Sequence, residues 1–137
     1  VTAPGDRTID RKNNKNTVVL IEPDFSVRDA LTVLLNGEGW RVRSLDDCGE
    51  LLAFIRDESV FAVISESTLP GCTPHEVLEA CVGLDLPVVF TGHDQSLQSA
   101  VDLIRQGALD FLDKPFPQAR LLDLLEGLQE RQKDQVT

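Results

Sequence analysis

The sequence has no apolar stretch of membrane length and no signal-peptide hydrophobic region, so neither a spanning helix nor a secretion leader is expected. It has no C-x-x-C pair. Its three cysteines, Cys48, Cys72 and Cys81, are an odd number, which fits a reducing compartment better than a disulfide framework. Cys48 and Cys81 fall on apolar helix faces and read as small core residues, while Cys72 falls in a turn. The two histidines, His75 and His93, have no companion at metal-ligand spacing and read as surface residues. Basic residues form no stripe. Against 23 Asp and Glu stand 13 Lys and Arg, and the net charge of −10 argues against direct nucleic-acid binding. There is no long internal repeat and no low-complexity tract.

What remains is ordinary for one soluble globular domain: 137 residues, 42% apolar and 26% charged. Residues 1–16 have almost no apolar content and read as a disordered lead-in. Residues 17–130 read as the domain. Residues 131–137 are polar and read as a tail or the start of a linker.

Within 17–130 short apolar strands alternate with amphipathic stretches. Strands are expected at 17–21, 40–44, 60–65, 87–90 and 108–112. Helices are expected at 25–36, 47–56, from Thr73, at 94–106 and from Pro117. Inward positions recur at helical spacing: Val27, Leu31, Leu34 and Leu35; Cys48, Leu51, Leu52 and Ile55; Val77, Leu78, Cys81 and Val82; Leu97, Val101 and Ile104; Leu121, Leu124, Leu125 and Leu128. Asp24 and Thr73 read as N-caps, the latter with Pro74 and Glu76 in capping-box spacing. Asp47 with Glu50 reads as a third start signal. Five strand–helix units with short joints imply a parallel sheet covered on both faces.

The central stretch is Phe61-Ala62-Val63-Ile64-Ser65-Glu66-Ser67-Thr68-Leu69-Pro70. It begins as a strand buried on both faces and breaks at Glu66 into polar residues and a Pro-Gly turn. Ligands of open α/β sheets bind at the carboxyl ends of the strands. Polar markers stand at four of those ends: Glu22, Glu66, Thr91 and Lys114. Two carboxylates, a hydroxyl and an ammonium in one place suit phosphoryl or cation chemistry.

Two strings carry a resemblance: Val88-Val89-Phe90-Thr91-Gly92-His93 and Gly107-Ala108-Leu109-Asp110-Phe111-Leu112-Asp113-Lys114-Pro115-Phe116. With them, the chain from about Thr17 to Glu130 resembles a bacterial response-regulator receiver domain, the phospho-accepting module of two-component signalling. The resemblance implies a flavodoxin-like, doubly wound (βα)5 fold with a five-stranded parallel sheet in the order 2-1-3-4-5. It implies that Lys114 is the phosphate-contacting lysine, Thr91 the switch hydroxyl and Phe111 the aromatic that turns inward on activation. Pro115 then follows a cis peptide.

The same comparison exposes departures. The family ends its first strand with two acids that hold Mg²⁺, and here the pair is Glu22-Pro23. Its phospho-accepting Asp aligns with Glu66. Thr68, whose carbonyl completes the metal site, is kept. Mg²⁺ binding is therefore expected to be weak or absent, with no other cofactor or metal. The expected function is a pseudo-receiver, not an enzyme, that regulates by binding proteins in the cytoplasm. The partner is another protein or a second copy, through the fourth helix, fifth strand and fifth helix, where Arg105, Asp110, Asp113 and Arg120 are candidates for ion pairs. A C-terminal DNA-binding output domain outside this chain is expected, and no membrane. Glu66 reads either as a fixed phosphate mimic or as a structural partner of Lys114, with Glu22 competing. The alternative is a working phospho-acceptor using Glu66, or a neighbour among Ser65, Ser67 and Thr68, with Mg²⁺. A flavodoxin-like cofactor binder is set aside, because Glu22-Pro23-Asp24-Phe25 is no phosphate loop.

Overall fold

The computed structural model describes residues 17–57, 60–93 and 97–136. The expected lead-in at 1–16 lies outside them. Among the described residues five strands alternate with five helices. These are β1 (Thr17–Ile21), α1 (Phe25–Gly37), β2 (Arg41–Leu45), α2 (Leu51–Asp57), β3 (Ala62–Glu66), α3 (Pro74–Val82), β4 (Val88–Gly92), α4 (Leu97–Arg105), β5 (Asp110–Asp113) and α5 (Gln118–Val136). The sheet is wholly parallel, in the order β2-β1-β3-β4-β5. The flavodoxin-like architecture expected from the sequence is the one observed.

The three middle strands are buried along their full length. β2 and β5 close the sheet at its two edges and are partly exposed. Side chains alternate between two apolar layers, as the two-residue period of a strand requires. Val18, Leu20, Ala62, Ile64, Val89 and Leu112 point to one layer, filled by Leu31 and Leu35 of α1 and Leu121, Leu125 and Leu128 of α5. Val19, Ile21, Val63, Val88 and Phe90 point to the other, filled by residues of α2, α3 and α4. No described helix is long and apolar enough to cross a membrane.

Several local expectations change. Asp47 does not cap a helix. Its Oδ1 accepts the Gly49 N–H at 2.8 Å, and Leu51 N–H bonds back to the Cys48 carbonyl. This side-chain turn competes with the helix and delays it to Leu51. Cys48 therefore precedes α2, and it is joined in a disulfide to Cys72. The reading of Cys48 as a small core residue on a helix face is corrected: it lies half-buried in the loop before α2. Leu52, Val82 and Ile104 are exposed rather than inward, and Leu103 takes the buried place on α4. The 131–136 stretch, polar as a linker would be, continues α5 as helix to Val136.

Candidate functional site

The site lies at the carboxyl edge of the sheet, where side-chain alternation carries on past the strand ends. Residues 18 and 20, 62 and 64, 89, and 112 face the layer under α1 and α5. The same period continues to Glu22, Glu66, Thr91 and Lys114. Register does the rest. Ile21 pairs with Ser65, Glu66 with Thr91 and Thr91 with Leu112. Backbone bonds extend the ladder beyond the strands: Glu22 N–H to the Leu45 carbonyl at 2.9 Å, Ser67 N–H to that of Thr91 and Lys114 N–H to that of Gly92, both at 2.8 Å.

Lys114 holds the centre. Its Nζ donates to Glu22 Oε1 at 2.5 Å and to Glu66 Oε1 at 2.7 Å. The second oxygen of each carboxylate is engaged as well. Glu22 Oε2 accepts the Asp24 N–H at 3.1 Å. Glu66 Oε2 accepts the N–H groups of Ser67 at 2.7 Å and Thr68 at 3.2 Å, with the Ser67 hydroxyl at 3.3 Å. All three side chains are 10% exposed or less. Burial is the largest effect on the ammonium and would lower its pKa. The hydrogen bonds and charges of Glu22 and Glu66 together outweigh it and raise the pKa above the usual lysine value.

Local sequence explains each placement. Asp24 Oδ1 accepts the Val27 N–H and caps α1. Thr73 and Glu76 form the full capping box of α3, with Pro74 in its first turn. Gly71 has φ of 81°, which a turn after Pro70 allows only to a residue without a Cβ at no steric cost. The Lys114–Pro115 peptide is cis.

Other candidates fall elsewhere. Thr91 is buried beside Glu66 in register, but its side chain makes none of the hydrogen bonds described at Glu66. Ser65 is buried and its hydroxyl donates to the Glu66 carbonyl at 2.9 Å. Pro23, Thr68 and Pro115 are exposed. Phe111 is half-buried against the α2–α4 layer, on the side opposite Lys114. Arg120 reaches Asp110 within the same chain at 2.8 Å, an exposed pair, and Arg105 and Asp113 are exposed. His75 and His93 are both exposed.

Sequence reasoning missed Arg28. Its guanidinium donates to the Glu22 carbonyl at 2.6 Å and the Pro23 carbonyl at 3.3 Å, tying α1 to the end of β1. A long cation one turn inside a capped helix is the only signal for it in the sequence, and a weak one.

A family model for the response regulator receiver domain matches residues 18–126. The chain belongs to that family. The receiver domain is similar to the C4-dicarboxylate transport transcriptional regulatory protein DctD of Pseudomonas aeruginosa. The two are 38% identical over 109 residues, covering 77% of this chain and 23% of that protein. It is similar to the solved full-length FixJ from B. japonicum, at 28% identity and a TM-score of 0.77, covering 85% of this chain and 59% of that one. Its fold is also that of the beryllofluoride-activated NtrC4 receiver domain dimer, at 21% identity and a TM-score of 0.78, covering 85% and 98% of the two chains. The chain spans between 23% and 56% of the length of the curated relatives it matches. Receiver domains are the signalling modules of two-component response regulators, which act with partners or output domains.

Proposed function

We propose that this receiver domain is a pseudo-receiver: it regulates by contact with proteins and takes no phosphoryl group on the side chain that ends β3. One observation carries the reading. Lys114 bridges Glu22 and Glu66, and the remaining oxygen of each carboxylate is held by backbone N–H groups. An acyl-phosphate forms only if a carboxylate oxygen lies free and in line with the donor phosphorus. A misplacement of ~1 Å can cost about a hundredfold. Glu66 stands one methylene longer than Asp, with both oxygens engaged.

The residues present do not fit Mg²⁺. The ion demands near-octahedral oxygen ligands and gives up its waters reluctantly. Pro23 supplies no carboxylate, and Asp24 is spent on the helix cap. Glu22 and Glu66 are satisfied by an ammonium that already supplies the positive charge. No cofactor and no enzymatic activity enter the proposal. The fixed phosphate mimic is the weaker reading, because Lys114 is shared with Glu22 and Thr91 gives Glu66 no described hydrogen bond.

The proposed output is a protein contact through α4, β5 and α5, with a second copy as first partner. The NtrC4 receiver, described as a dimer, supports a second copy as partner. The names of DctD and FixJ as transcriptional regulatory proteins support an attached or partner output domain that acts on transcription. The net charge of −10 leaves any DNA contact to that other domain.

The test is incubation of the chain with acetyl phosphate and Mg²⁺, followed by intact mass measurement. No change is expected. A stoichiometric, base-labile gain of one phosphoryl group overturns the proposal in favour of a working acceptor.

A further inference from the structure

The structure sorts the three cysteines by chemistry. Cys81 lies fully buried on the inner face of α3. Burial pushes its thiol up to about 12, so it stays protonated and a poor nucleophile. Cys48 and Cys72 are half-buried, packed against the edge of the α2–α4 layer, and bonded to each other. Their α-carbons are 6.8 Å apart, within the span of a disulfide.

Position gives the pair its meaning. Cys48 sits in the connection between β2 and α2. Cys72 sits in the connection between β3 and α3, one residue before the Thr73 cap. Both connections leave the carboxyl edge of the sheet, the edge that holds Glu66. The loop from Ser67 to Cys72 is fixed at its start by two N–H groups on Glu66 Oε2 and closed on itself by a bridge between Leu69 and Cys72. The disulfide pins its far end to another loop 24 positions away.

A structural staple is not needed here for lack of a core, since apolar layers cover both faces of the sheet. Cys48 and Cys72 are also half-buried residues, where Cys81 is fully buried. We infer that Cys48 and Cys72 are a reversible oxidation site for peroxide, and that forming their disulfide restrains the loop that grips Glu66. This inference does not depend on Glu66 having lost the acceptor role.

The chemistry is a two-electron oxidation. One thiolate attacks a peroxide oxygen: an S–O bond forms, the O–O bond breaks and one water leaves. The second sulfur attacks the resulting sulfenic acid: the S–S bond forms, the S–O bond breaks and a second water leaves. Two thiols and one hydrogen peroxide give one disulfide and two waters. A dithiol reductant returns the pair by exchange.

The experiment uses the whole chain in two forms, one reduced with dithiothreitol and one then treated with hydrogen peroxide. Each is alkylated with iodoacetamide under denaturing conditions and mapped by peptide mass. The reduced form is expected to label on all three cysteines and the oxidised form on Cys81 alone, with a Cys48–Cys72 cross-linked peptide. Amide hydrogen exchange across residues 67–72 is expected to slow by about fivefold or more on oxidation. Cys81→Ser should keep the cross-link and Cys72→Ser should abolish it. Equal labelling of all three cysteines after peroxide, or a cross-link through Cys81, overturns the assignment. A Cys48–Cys72 cross-link that leaves exchange at 67–72 unchanged overturns the coupling to the loop.

Discussion

Lys114 and Glu22 are 92 positions apart in the chain and meet at 2.5 Å. That contact joins the end of β5 to the end of β1, and the proposed reading rests on it together with the bond to Glu66. A lysine kept for phosphate must be able to turn to it. Here Lys114 is held from two sides, by the end of β1 and the end of β3, and it serves as their shared counterion. The neighbouring Pro23 offers no third carboxylate to draw in a divalent ion.

Lys114→Met should destabilise the domain strongly. It leaves two buried carboxylates facing each other without a cation. Removing one partner of a buried ion pair costs about 3–5 kcal/mol. The measurement is urea unfolding of the variant against the native chain at neutral pH. A loss under ~1 kcal/mol, the range of a surface pair, would show that the bridge contributes little.

Stability should fall at alkaline pH. The folded state holds the Lys114 pKa above its ordinary value of 10.5. A group with a raised folded pKa contributes stability in full below its unfolded pKa and loses it as pH climbs through the folded one. Cys81 acts in the same direction, from its unfolded value up to about 12. The chain has no tyrosine to confuse the titration. Urea midpoints at pH 9 and pH 11 should therefore diverge, and the Cys81→Ser, Lys114→Met double variant should show a smaller difference.

Restoring the missing acid and shortening the other should restore metal binding. Pro23→Asp with Glu66→Asp returns a carboxylate to the end of β1 and shortens the one on β3. Titration calorimetry with Mg²⁺ should give heat for the double variant and none for the native chain. Trp40 is the wrong reporter. It packs against Phe61 with ring centroids 5.4 Å apart, at the opposite edge of the sheet from Glu66. Magnesium binding by the native chain would end the pseudo-receiver reading.

Reducing the Cys48–Cys72 bond should lower stability by about 3.5 kcal/mol, the chain-entropy value for a sequence separation of 24. Urea midpoints with and without dithiothreitol give the difference. A Cys48→Ser variant should show the lower midpoint in both conditions.

The proposed contact face can be tested through Ile104, which is exposed on α4 beside Arg105. Ile104→Arg should weaken self-association about tenfold, as expected for one anchor side chain worth ~1.4 kcal/mol. Sedimentation at several concentrations measures it. Arg120→Ala is a gentler control, since Arg120 is already paired with Asp110 in its own chain. An unchanged dimer would place the contact elsewhere.

Elements and topology were legible in the chain because they rest on consecutive residues. The continuous apolar runs of β1 and β3, the four- and three-residue spacings of Leu121, Leu125 and Leu128, and the Thr73-Pro74-x-Glu76 start are local signals. The four strand-end positions followed from counting, and the parallel sheet from short strand–helix joints. Failures came where a local signal had a rival. Asp47 had both a helix and a turn to cap, and the turn won. Ile104 and Leu103 are equally apolar neighbours, and only the seating of α4 on the sheet could choose between them.

Contacts between distant residues belonged to the tertiary structure alone. That Lys114 would take both glutamates, and not one, depended on how three strand ends align and how much water the fold removes. That Cys48 would meet Cys72 depended on two loops leaving the same edge. A sequence lists the groups that can bond, but burial and distance decide which of them do, because both arise only when segments far apart in the chain are packed together.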